Sequence, residues 1–392
     1  MQNRWAVLAL LFTVRLAMGF QFQAVGAVSP IYMREFSVAL ADIGLMISLY
    51  HAPGIIFAVP GGEIGRRFGE KQMVLLALVL MIIGGLIMAL GQSWGWQLAG
   101  RLVAGVGGVL LNVLMSKMVT DWFAGKEIAT AMAIFVNSWP AGIAVALIVL
   151  PIVAGFGGVA AVGLATVVVA MVGLVLLGLL YAPPVGQLSA TARGEWPHGS
   201  ALQAVIVAGC IWGLYNAALS MVFGYGTALL TERGWSLTAA GSVTSLVLWM
   251  VAISVPLGGI LADRTGRPNE IMLAGFACFA VTLAIAARTE AVVFWFVVLG
   301  LMGGLSAGPV MALPTRVLDP RARAVGMGLY FLMFYVMVVI GPIVAGRLAG
   351  LAGTSRITFD FGAALLVACF ALFWLYRQLQ ARHAAKAAAS GA

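Results

Sequence analysis

The 392-residue chain is predicted to be an all-α integral membrane protein, with twelve transmembrane helices arranged as two parallel six-helix repeats. Three observations carry this. Hydrophobic residues make up 62% of the chain and charged residues 9%, against about 25% charged in an ordinary soluble domain. The apolar residues come in stretches of about 20, the length that crosses a hydrocarbon core, rather than in the short runs of buried strands. The stretches also lack the period-2 alternation of a transmembrane barrel.

In order, the predicted helices are Trp5–Val28, Ile43–Val59, Met73–Leu90, Trp96–Val119, Thr130–Val153 and Val159–Tyr181. After the polar break PPVGQLSATARGEWPHGS come Ala201–Leu230, Ala239–Leu261, Ile271–Ala286, Val292–Val317, Val325–Leu348 and Phe361–Leu379. The expected organisation is a first half over 1–182, a linker over 183–200, a second half over 201–380 and a tail over 381–392. Arg4 followed by an apolar run ending in AVGA imitates a secretory signal, but Arg15 interrupts the apolar region such a signal needs, so this stretch is read as the first span.

Lys and Arg decide the orientation, because positive residues are retained on the cytoplasmic side. Placed in alternate loops, fifteen fall on the side of the termini and linker, and only Arg34, Arg233, Arg288, Arg347 and Arg356 on the other. Both termini are therefore expected to be cytoplasmic, in the cytoplasmic (inner) membrane. The net charge of +9 is dispersed between apolar segments rather than gathered on one folded face, so no nucleic-acid partner is expected. Cys210, Cys278 and Cys369 lie inside apolar segments, an odd count without paired spacing, so neither a disulfide framework nor a metal site is expected.

An internal repeat appears in the loops. GEIGRRFGEK (Gly62–Lys71) and GILADRTGRP (Gly259–Pro268) align at an offset of 197 residues, and the same offset pairs Lys126 with Arg323. Two halves in the same orientation follow, an arrangement found in transporters whose substrate site lies between the halves. The second loop, Gly-x-x-x-Asp-Arg-x-Gly-Arg, resembles the signature of the major facilitator superfamily, and Arg101 followed by VAGVGG resembles that family's fourth-helix motif. The stretch KMVTDWFAGKEIATAMAIFVNSWPAG is similar to transporters grouped with cyanate, nitrate and related anion porters. The resemblance implies the major facilitator fold and a gating motif formed by Gly62, Glu63, Arg66, Arg67, Gly69, Gly259, Asp263, Arg264, Gly266 and Arg267. In the family, the acid of this loop caps a neighbouring helix and helps lock the outward-open state. Here Arg66 stands at that position in the first half, with Glu63 nearby, while the second half keeps Asp263.

The embedded polar residues are the candidates for binding. An isolated arginine at mid-bilayer costs about 2.5 kcal/mol or more and ordinarily faces a cavity or a partner. Arg15 sits too deep to snorkel, and every Asp and Glu falls at a helix end, in a loop or in the linker. One reading is that this cation awaits an anionic cargo; the other is that it donates to backbone carbonyls and Gln23 and only holds helices together. Gly19, Phe22, Gln23 and Gly26 share its broad face, which places Gln23 at the same cavity one layer further out. His51, near the midplane of the second span and followed by Pro53, is the embedded group able to titrate near neutral pH. The repeat offset carries Arg15 onto Trp212, with Tyr215 and Asn216 on the next turn; Asn137 with Trp139, and Tyr330 and Tyr335, complete the aromatic and amide candidates. The expected substrate-binding set is Arg15, Gln23, His51, Trp212, Tyr215, Asn216, Asn137 and Tyr335. Arg101 and Asn112 are ambiguous, since Arg101 lies close enough to the span's end to snorkel; Lys117 and Asp121 read as a solvated i,i+4 pair.

The function expected is secondary transport of a small anion, whether inorganic oxyanion, cyanate or carboxylate, by alternating access near Arg15. The absence of embedded carboxylates argues against a proton-driven exporter of cations. The alternative is an exporter of neutral or amphipathic compounds, with Met302, Met311, Met327, Met333 and Met337 as an adaptable surface. Catalysis would need convergent reactive groups, and His51, His198 and His383 are scattered over membrane, linker and tail, so no enzyme is expected. No cofactor is expected, and the chain is expected to act as a monomer.

Overall fold

The computed structural model describes residues 3–58, 60, 68–123, 128–183, 196–319 and 322–390. Most of these residues are helical, with no strand among them. Among the described residues, eleven helices are long and apolar enough to cross a membrane. One of them, Ile134–Leu180, has 47 residues and would be about 70 Å long if straight, more than twice a hydrocarbon core of about 30 Å. It breaks at Gly157 and Gly158, where φ is −164° and +59°; the second value is one only glycine adopts freely. Two spans run on either side of that break, which makes twelve.

The elements of the first half are α1 (Arg4–Gln23), α2 (Ser29–Phe36), α3 (Leu40–Leu49), α4 (Pro53–Phe57), α5 (Glu70–Leu90), α6 (Trp94–Trp122), α7 (Ile128–Val136) and α8 (Ser138–Leu180). Those of the second half are α9 (Gly199–Glu232), α10 (Leu237–Thr265), α11 (Pro268–Ala286), α12 (Val292–Gly303), α13 (Ala307–Met311), α14 (Arg323–Ala352) and α15 (Arg356–Ser390). The second, fifth and tenth predicted spans are each broken: Pro53 interrupts the second, Pro140 follows the break between α7 and α8, and a turn at Gly304–Ser306 divides α12 from α13. Pro53 and Pro140 lack the N–H that would continue the ladder.

With twelve spans both termini and the linker lie at one end of the bundle, here the linker end, opposite a distal end. The halves meet most closely at the distal end, where backbones approach through glycines. A Cβ at Gly44 of α3 would strike the Pro342 carbonyl of α14, and one at Gly241 of α10 would strike the Leu147 carbonyl of α8. Two neutral hydrogen bonds join the halves beside these contacts: Gln23 Nε2 donates to the Phe223 carbonyl at 2.6 Å and Thr227 Oγ1 to the Gly26 carbonyl at 2.5 Å. Toward the linker end, α14 meets α4 through Tyr335, Phe331, Phe334 and Phe57. Beyond that, Asp263 at the end of α10 is exposed, with no hydrogen bond or ion pair among the described residues. At the distal end the two halves are thus in backbone contact.

Charged residues at the linker end serve the helix ends. Lys71 Nζ donates to the Gly178 and Tyr181 carbonyls at 2.9 and 2.7 Å, acceptors the last turn of α8 leaves without helical donors. Lys117 pairs with Asp121 at 2.9 Å, and also with Glu70 of α5, so the expected i,i+4 pair is part of a three-residue cluster. Of the gating motif, Gly62, Glu63, Arg66 and Arg67 lie outside the described residues, as does Lys126. Gly69 precedes α5 at φ +84°, Gly259, Asp263 and Arg264 lie on α10, Gly266 ends α10 at φ +65°, and Arg267 pairs with Glu270 at 3.4 Å on the surface.

Candidate functional site

Arg15 is the twelfth of the 20 residues of α1, at mid-depth, and is 7% exposed. Gly19 and Gly142 bring α1 onto α8: a Cβ at Gly19 would lie 2.5 Å from the Trp139 carbonyl, and one at Gly142 would meet that of Leu16. This approach sets the guanidinium beside the α7/α8 break. Its Nη1 donates to the carbonyls of Phe135 and Val136 at 3.0 and 3.2 Å and to Ser138 Oγ at 3.0 Å. Val136 is four residues before Pro140, so its carbonyl has no helical donor, and the arginine supplies one. The Phe135 ring covers one face of the guanidinium, 4.6 Å from its central carbon. The other edge, Nε and Nη2, donates to Asn112 Oδ1 of α6 at 3.2 and 2.8 Å. Every acceptor is neutral. No carboxylate among the described residues pairs with Arg15.

Asn112 extends this contact to the second half: its Nδ2 donates to the Tyr335 hydroxyl of α14 at 3.2 Å. Around Tyr335 the rings form a connected group. His51 lies 4.7 Å from Phe22, 5.7 Å from Trp139, 6.4 Å from Phe334 and 6.1 Å from Tyr335, centroid to centroid. Phe334 continues to Trp212 of α9 at 6.3 Å. His51 is 7% exposed, and its ring nitrogens make no hydrogen bond among the described residues. Asn112, Trp139, Trp212 and Phe334 are half-buried at mid-depth between the halves. The arrangement is a cationic corner and an aromatic wall, with one imidazole free to donate or accept.

Of the eight predicted binding residues, the structure gathers Arg15, His51, Tyr335 and Trp212 into this region. Gln23 lies apart: α1 ends there, and its amide is spent on Phe223 in the distal closure, not on Arg15. Tyr215 turns its hydroxyl to the Gly303 carbonyl at 2.6 Å, among Phe276 and Phe279 in the second-half core, although its ring stacks on Trp212 at 5.5 Å. Asn216 donates back to the Trp212 carbonyl of its own helix at 2.8 Å. Asn137 precedes α8 at the break and is half-buried, with no side-chain hydrogen bond at that helix end. Tyr330 points to Val310 and Met311. Met333 and Met337, both half-buried, pack over Gly209 and Gly213 of α9.

Arg101 does not snorkel. It is fully buried and donates to the Met46, Gln21 and Phe22 carbonyls at 2.9, 2.9 and 2.6 Å, with the Tyr50 ring 4.7 Å from its central carbon. Two of those acceptors belong to the C-terminal turn of α1, where a cation also meets the negative end of the helix dipole. The residues that sequence spacing missed are Ser138, Phe135 and Phe334; Pro140, four residues after Val136, is the sequence signal for the carbonyl site.

The sequence profile of the Major Facilitator Superfamily matches residues 11–227 and 202–391, almost the whole chain in two consecutive passes. The chain belongs to the Major Facilitator Superfamily. It is thus a multi-pass secondary transporter. The lysosomal dipeptide transporter MFSD1 of Danio rerio is 23% identical over 94% of this chain and 86% of its own length. The 3-(3-hydroxy-phenyl)propionate transporter of Escherichia coli is 26% identical over 94% of this chain and 93% of its own. Among solved structures, a D-xylose-proton symporter superposes with a TM-score of 0.77 at 15% identity, over 95% of this chain and 97% of that one. A bacterial homologue of the human lysosomal transporter Spinster, in an inward-facing and occupied conformation, gives 0.76 at 15% identity, over 98% and 99% of the two chains. At such identity these likenesses speak for the fold.

Proposed function

We propose that this superfamily member moves a small organic anion, a carboxylate with an apolar or aromatic body, by alternating access between its two halves. The observation that carries the reading is the Arg15 guanidinium, at mid-depth and, among the described residues, paired with neutral acceptors only. A charge buried in low dielectric without a counter-ion is costly, and an anionic cargo is the partner that lowers that cost. The rings of Phe22, Trp139, Phe334 and Trp212 suit an apolar body more than the bare oxyanions and cyanate that charge alone would also admit. The anion reading agrees with the resemblance that the stretch supplying Phe135, Val136 and Ser138 has to anion porters, and one relative is named for an aromatic propionate. The carrier works as a monomer in the cytoplasmic membrane, with both termini cytoplasmic.

The test is uptake of radiolabelled 3-phenylpropionate, benzoate and nitrate into proteoliposomes by wild type and Arg15→Gln. Arg15→Gln keeps a hydrogen-bonding side chain for the carbonyls, so it is expected to elute as folded protein and to lose uptake by at least a hundredfold. Uptake by Arg15→Gln at the wild-type rate sinks the anion reading. The aromatic wall also favours a second reading, export of neutral or amphipathic compounds, which a growth-resistance panel detects and in which Arg15→Gln changes nothing.

A further inference from the structure

Arg15 is held on two edges of different character. The Nη1 edge is committed to backbone carbonyls of the α7/α8 break and to Ser138, all on rigid helix ends. The Nε/Nη2 edge is the planar fork that matches a carboxylate with two parallel hydrogen bonds. In this structure a single amide oxygen, Asn112 Oδ1, occupies that fork, accepting from both nitrogens at 3.2 and 2.8 Å. Arg15 is buried, whereas Asn112 is half-buried, as are Trp139 and Phe334. The same amide's nitrogen reaches Tyr335 of the other half at 3.2 Å.

Resting on the anion reading above, we infer that Asn112 is a specificity-determining residue that stands in for the cargo's carboxylate on the Arg15 fork. A cargo must displace it to bind. A carboxylate brings two charged oxygens to two donors and outcompetes one neutral amide oxygen; a neutral solute does not. Displacement also withdraws the amide from the Tyr335 hydroxyl, so the same event that seats the anion releases a mid-depth hydrogen bond between the halves. Asn112 thus rejects neutral competitors and makes release of that contact follow occupancy.

The experiment is equilibrium binding of 3-phenylpropionate to the purified full-length chain, for wild type, Asn112→Leu, Asn112→Ala, Asn112→Asp and Arg15→Gln, with elution profile and thermal midpoint recorded for each. Removing the competing amide is expected to lower Kd at least fivefold in Asn112→Leu or Asn112→Ala. Fixing an anion on the fork in Asn112→Asp is expected to raise Kd more than tenfold while the thermal midpoint holds or rises. A merely structural asparagine would weaken binding on removal, so Asn112→Leu and Asn112→Ala binding no better than wild type, with Asn112→Asp unchanged, overturns the inference and leaves the anion reading standing on Arg15→Gln. Binding to Arg15→Gln at the wild-type Kd, or to neither wild type nor Asn112→Leu, overturns the anion reading itself.

Discussion

Pro140 stands four residues after Val136, and the carbonyl it leaves without a helical donor is the one Arg15 takes at 3.2 Å. The helix break and the buried cation are therefore one feature. Pro140→Ala returns a backbone N–H to that position and lets α7 and α8 fuse. The expected outcome is a thermal midpoint higher by about 2–4 °C, equivalent to about 1 kcal/mol, and uptake lower by at least fivefold because the arginine loses an anchor. A lower midpoint with unchanged uptake contradicts the coupling.

Arg101 ties the end of α1 to α3 through three carbonyls. Hydrogen bonds from a charged donor are each worth about 1.5–3 kcal/mol, and emptying the site takes a donor from all three acceptors, of which Gln21 still accepts from the Ala24 N–H at 3.2 Å. Arg101→Ala is expected to lose several kcal/mol and to yield no monodisperse protein on size exclusion, while Arg101→Lys, a single donor point, recovers part of the yield. A monodisperse, wild-type-like Arg101→Ala would refute this bracing role.

His51 is packed among rings and has no hydrogen-bond partner among the described residues. His51→Phe should therefore leave the thermal midpoint within about 2 °C, since a swap of similar shape in such a site costs little. Uptake is expected to fall at least tenfold, because the aromatic wall loses its polar atom. A drop in midpoint without a drop in uptake assigns His51 to packing.

Gly44 and Gly241 close the distal end by backbone contact. Overpacking costs about 1–3 kcal/mol, enough to shift a two-state population by about fivefold or more. Gly44→Ala and Gly241→Ala are expected to populate a distal-open state, read as a longer distance component between spin labels at Gln92 and Glu290. Unchanged distance distributions count against the glycines as the closing contacts.

The spans were legible in the sequence because lipid demands long apolar runs whatever the helices pack against, and Gly157-Gly158 and Pro53 mark their breaks. The site was legible in part. Arg15 stood out because a cation in an apolar run needs either a cargo or a set of acceptors, and the structure supplies carbonyl acceptors, as one of the two readings expected, though not Gln23. Gln23, eight residues on, shares its helical face, but α1 stops at Gln23 and the chain beyond meets α9, so shared periodicity did not become shared surroundings. Tyr215 was drawn inward by the Gly303 carbonyl at the break after α12, an acceptor that exists only in the folded helix pair. Arg101 has the reach to snorkel, yet the Gln21 and Phe22 carbonyls at the end of α1 and the Met46 carbonyl of α3 hold it inside. Spacing within one helix says which face a residue occupies, and the neighbouring helix decides what that face touches.

The distal closure is made of glycine-to-carbonyl contacts and two neutral hydrogen bonds, with no ion pair joining the halves among the described residues. Such a seal has nothing for dissolved electrolyte to screen. Dissolved electrolyte acts instead on exposed pairs such as Lys117 with Asp121 and Arg288 with Asp360, which lie within one half and do not join the two.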